Sequence, residues 1–138
     1  MNLEIKKAKN KQSPRQITNN HHAPVLTVSL CHCKGNWCLS QELHRIAGLD
    51  AGHKVNIAQD KDTGIWYVGF SKTGEGQTLC FTEGRYSLVF RNKEAAKEIL
   101  GELVYAAFLV MPNPTVEDGI SWYKILTDSP LYSEKPSE

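Results

Sequence analysis

The hydrophobic pattern starts abruptly at residue 24. Before it, residues 1–22 hold almost no large apolar side chains and read as a flexible arm. After it, short apolar runs alternate with turn residues, as in a chain of strands. Val25-Leu26-Thr27-Val28-Ser29-Leu30 is β-branched and apolar enough for the first strand. Lys34-Gly35-Asn36 marks a turn, and Trp37-Cys38-Leu39 a second short strand. Ser40 suits an N-cap, since its hydroxyl can accept a free N–H of the first helical turn. The helix it opens runs through Glu42, Leu43 and Ile46, with Gly48 and Gly52 bracketing the link onward. Lys54 to Ala58 alternates polar and apolar residues and forms a hairpin with Ile65 to Phe70 across the polar turn Asp60 to Gly64. Beyond a turn holding Gly74 and Gly76, Thr78 to Phe81 and Tyr86 to Phe90 read as two further strands. Asn92 caps an amphipathic helix over about 93–104, with Ala96, Ile99, Leu100 and Leu103 on one face. Ala107 to Met111 and Ile120 to Leu126 are the last predicted strands. Residues 129–138 read as a polar, flexible tail.

This order gives an α+β, mainly β class, with one domain over 23–128 and no repeat visible along the chain. Within it, 25–70 forms a core unit and 73–128 a β-rich extension carrying the second helix.

Charge refines the picture through its distribution. The formal net charge is +1. Lys6, Lys7, Lys9, Lys11 and Arg15 stand against Glu4 alone in the arm, a local +4, leaving eleven basic and fourteen acidic residues, or −3, for the rest. A basic arm of this kind can hold phosphates by releasing their counterions, or remain a solvated terminus. The longest apolar run, Val104 to Met111, is too short to cross a bilayer, and the polar start lacks a secretory signal. The expectation is a cytoplasmic protein whose cysteines are thiols and which contacts no membrane.

The segment from Lys34-Gly35 through Leu39, Glu42-Leu43, Gly48-Leu49 and Gly52 to Val55 and Ile57 resembles the AbrB/MazE/SpoVT family at matching spacings. Two positions depart from that pattern. Ser40 stands where the family usually has proline, and His53 where it has an aspartate that would steady the turn. The resemblance implies a swapped-hairpin barrel shared by a homodimer that binds duplex DNA. Carried over by position, Lys34 at the turn, Arg45 on the helix and Lys54 on the next strand would meet phosphates, with Lys6, Lys7, Lys9, Lys11 and Arg15 of the arm assisting. Each of these is equally readable as a solvated surface charge. Relatives that pair with toxins make a protein partner the alternative, with the C-terminal extension as its docking part.

Other constellations carry less chemistry. Cys31-His32-Cys33 with Cys38 and His44 holds zinc-ligating residue types, but no Cys-x-x-Cys pair or downstream ligand pair accompanies it. His21-His22 lies in the arm. Cys80 between Leu79 and Phe81 reads as packing, and no hydrolase, zincin or phosphate-loop motif occurs. The expectation is therefore no enzyme, no metal and no cofactor. Trp66, Tyr67, Phe70, Phe81, Tyr86 and Phe90 are mostly core residues by composition. If one sheet face exposed them beside Lys72, Arg85 and Arg91, they would stack single-stranded bases, the third reading.

Overall fold

A computed structural model describes residues 23–30, 35–81 and 88–136. Among these residues, eleven strands and two helices follow one another as β1 (Val25–Ser29), β2 (Asn36–Leu39), α1 (Gln41–Ala47), β3 (Lys54–Gln59), β4 (Trp66–Ser71), β5 (Gln77–Thr78), β6 (Cys80–Phe81), β7 (Leu88–Arg91), α2 (Lys93–Leu100), β8 (Tyr105–Leu109), β9 (Thr115–Glu117), β10 (Ile120–Ile125) and β11 (Tyr132–Glu134). They build two open antiparallel sheets. The first has the order β11-β8-β1-β2-β7-β6, the second β5-β3-β4-β10-β9.

Strand alternation decides what each sheet buries. Leu26 and Val28 of β1, Trp37 and Leu39 of β2, Leu88 and Phe90 of β7, and Ala106 and Phe108 of β8 all point inward and are buried. From the second sheet Val55, Val68, Phe70, Tyr123 and Ile125 enter the same cluster, closed by Leu43 and Leu49 from α1 and its exit, and by Ala96 and Leu100 from α2. The Trp37 ring stacks on Phe90 at 5.4 Å, and its indole N–H donates to the Asn92 carbonyl at 3.0 Å. Gly35 makes the tightest approach. Its φ is +66°, and a Cβ there would stand 2.4 Å from the Lys93 Cα, so only glycine lets the chain entering β2 pass the start of α2.

Several boundaries differ from the expectation. The run Thr78 to Phe81 is two strands, because the chain changes sheets at Leu79: β5 pairs with β3, and β6 with β7. Buried Leu79 makes that crossing, its N–H donating to the His53 carbonyl and its carbonyl accepting from Gly52, both at 2.9 Å. α2 stops at Leu100, short of 104, because Gly101 turns the chain at φ 60°. β9 was not expected at all. Part of the predicted flexible tail is instead a strand: β11 pairs with β8, aligning Tyr132 with Ala107 and resting its ring on Tyr105 at 5.9 Å. The basic arm 1–22, the Cys31–His32–Cys33–Lys34 stretch, Arg85, Tyr86 and the chain's last two residues lie outside the described residues.

Candidate functional site

The segment that carries the family resemblance forms a hairpin, a helix and a second hairpin. β1 pairs with β2, α1 follows, and β3 pairs with β4 through six residue pairs from Lys54↔Ser71 to Gln59↔Trp66. Ser40, in the proline position, does more than start the helix. Its Oγ accepts from the Leu43 N–H at 3.2 Å and the Val25 N–H at 2.9 Å, and its O–H donates to the Ala23 carbonyl at 3.1 Å. The hydroxyl thus ties the helix to the strand that opens the fold. Gly48 caps α1 at φ 63° in the left-handed region, and Leu49 behind it is buried. His53, in the aspartate position, takes over the turn: its Nδ1 accepts from the Asp50 N–H at 3.0 Å. The imidazole thus supplies an acceptor for that turn.

Of the expected phosphate contacts, Arg45 and Lys54 are among the described residues, and each has a partner within the chain. Arg45 lies on the exposed side of α1, but its guanidinium is held by Glu42, Nε to Oε1 at 2.9 Å and the second nitrogen to Oε2. That hydrogen bond first, and the carboxylate charge second, raise the Arg45 pKa above its ordinary value. Lys54 donates its Nζ to Thr78 Oγ1 at 2.7 Å, pointing along the β3–β5 edge. Arg45 and Lys54 thus take separate partners, Glu42 and Thr78. The two described members of the zinc constellation have partners of other kinds. His44 Nε2 meets the Leu49 carbonyl at 2.8 Å, and Cys38 sits on the outer side of the first sheet. Among the described residues, no group of three or more His, Cys, Asp or Glu is placed to hold a metal ion.

The second sheet presents the other candidate surface. Trp66 and Phe70 face the core side, and Tyr67 faces out, as strand parity requires. Tyr67 has a companion that the sequence reading passed over. Trp122 on β10 is the cross-strand partner of Gly69, and a Cβ on Gly69 would fall 2.6 Å from the indole Cε3 and 2.7 Å from Cζ3. The absence of that Cβ lets the ring lie flat over β4. A depression of about 350 Å³ beside it is lined by Ala58, Gln59, Asp60, Tyr67, Thr115, Glu117 and Trp122. Lys124, paired with Tyr67, stands on the same outer face. The signal for this site was in the sequence: a glycine in mid-strand often marks a close approach by another group. Its partner could not be read, because the register of β4 on β10 joins segments far apart in the chain.

A second depression, about 490 Å³, opens between the end of α1, the β4–β5 loop and the β9–β10 turn, with His53, Lys72, Glu75 and Asp118 on its rim. No described helix is long and apolar enough to cross a membrane. Comparison with protein-family models, curated proteins and solved structures found no match for this chain.

Proposed function

We propose that the protein is a non-catalytic, AbrB-like module that docks on duplex DNA through phosphate contacts. What supports this reading is the hairpin–α1–hairpin unit, with Gly48-Leu49 and Gly52 at the spacings of the resemblance and Ser40 starting the helix in place of proline. With Arg45 engaged by Glu42, the working charges of this proposal are Lys34 and the arm residues Lys6, Lys7, Lys9, Lys11 and Arg15. The test is fluorescence anisotropy on a duplex at low and moderate salt. Affinity should fall steeply with salt. Replacing the five basic arm residues by alanine should lower the slope by about 4.5 if each meets a phosphate. A salt-independent signal, or none at low salt, rules the reading out.

A second reading has its own observation, the flat Trp122 on Gly69 beside Tyr67 and Lys124. Planar rings with a cation nearby stack single-stranded bases, at about 1–3 kcal/mol per base. An oligothymidine should then quench tryptophan fluorescence in the parent and not in Trp122→Ala. Equal quenching in both would dismiss the platform.

A further inference from the structure

We infer that the chain consists of two intertwined hairpin–helix–hairpin halves, so that one chain fills both places that a swapped-hairpin homodimer fills with two. The first half is β1–β2, α1 and β3–β4. The second is β6–β7, α2 and β9–β10, with β8 inserted after its helix. In the first sheet the two halves meet at β2 and β7, giving the inner order β1-β2-β7-β6. In the second they meet at β4 and β10, giving β3-β4-β10-β9. Exchanging the halves leaves both orders unchanged, as a two-fold axis demands. An absence of sequence repetition conceals this, because the likeness is in the order of elements.

Three local features repeat with the topology. Each helix follows its strand through one capping residue, Ser40 or Asn92, whose side chain accepts from the N–H three residues on, and each ends at a positive-φ glycine, Gly48 or Gly101. Each helix also carries an acid and a base at the same places after its cap, Glu42 and Arg45 in one, Glu94 and Lys97 in the other. Most telling, each helix leans on the other half's hairpin. His44 of α1 packs on Phe81 of β6 with ring centres 6.0 Å apart, while the Asn92 N–H at the start of α2 donates to the Gly35 carbonyl at 3.0 Å. Crossed packing of this kind is what exchanged hairpins produce.

Strand edges give the consequence. β1 lies between β8 and β2, β2 between β1 and β7, β3 between β5 and β4, and β4 between β3 and β10. Every strand of the unit that resembles the homodimeric family is paired on both sides within the chain, so none offers a ladder to a partner's hairpin. The functional unit is one chain, and its two ends differ chemically because the halves do. The inference uses no ligand and stands or falls apart from the duplex-DNA reading.

Cross-linking tests it. Tyr67 and Lys124 face each other across the join of the halves, at a spacing that a disulfide spans. Tyr67→Cys with Lys124→Cys, in a chain whose four native cysteines are serine, should oxidise to a product of single-chain mass, 15.5 kDa. A disulfide-linked product of twice that mass overturns the inference. Should the substituted chain not fold, light scattering on the unmodified protein decides. A mass of one chain across a wide concentration range supports it, and a dimer that survives dilution overturns it.

Discussion

At the scale of single residues, Ser40 joins more of the molecule than its size suggests. Removing its hydroxyl takes away a cap and leaves the Val25 N–H buried without an acceptor. A lost cap costs about 1 kcal/mol and an unmet buried donor about 1–3. Ser40→Ala should therefore lose about 2–4 kcal/mol, read as a lower urea midpoint at unchanged slope. A loss below 0.5 kcal/mol would mean that water replaces the hydroxyl. Tyr123 makes a prediction about pH. Burial, 4% exposed, raises its phenol pKa above the ordinary 10.0. The folded state then keeps its proton longer than the unfolded chain does. Its contribution is complete below about pH 10 and is lost as pH rises through the folded pKa. Tyr123→Phe should weaken the decline of stability above pH 10 while changing little at pH 7. Equal alkaline profiles for both proteins would contradict this.

At the scale of elements, the strands with clean alternation and the capped start of each helix were legible, because local chemistry fixes them. Lys54 to Ala58 and Val25 to Ser29 stand where their patterns put them. What could not be read depends on distant partners. Thr78 to Phe81 is strand-like throughout, and only the position of the two sheets breaks it at Leu79. Leu103 continues the apolar spacing of α2, yet it packs on the core from beyond the glycine that ends the helix. β11 has three residues, too few for a period, and exists because β8 offers it an edge. That dependence runs both ways. Ala107 is fully buried although it points to the outer side of the sheet, and the Leu131 N–H donates to its carbonyl at 2.7 Å. Deleting residues 131–138 should uncover Ala107 and Tyr105 and cost about 2 kcal/mol, from lost ring contact and apolar burial. Thermal unfolding checks it, and an unchanged Tm would show that β11 adds nothing.

At the scale of the whole molecule, the question is whether two sheets amount to two independently stable layers. Three connections argue otherwise. The inner faces share one buried cluster, from Leu26 and Trp37 in the first sheet to Val68 and Ile125 in the second. The chain end of β8 passes from one sheet to the other, with Val110 bridging to Ile125 and the Met111 N–H donating to the Lys124 carbonyl at 2.9 Å. The crossing at Leu79 makes a second seam. Neither sheet has another apolar layer available for its inner face, so loosening one exposes the core of the other. The exposure is costly at about 25 cal/mol per Å². The three tryptophans make this testable, since Trp37 lies in the first sheet and Trp66 and Trp122 in the second. A variant keeping only Trp37 and one keeping only Trp66, the others replaced by phenylalanine, should each unfold in urea with fluorescence and far-ultraviolet dichroism coincident, as two-state unfolding requires. Within either variant, a fluorescence transition separated from the dichroism would mean that the sheets come apart one at a time. It would also mean that the shared cluster contributes less than the ladders within each sheet.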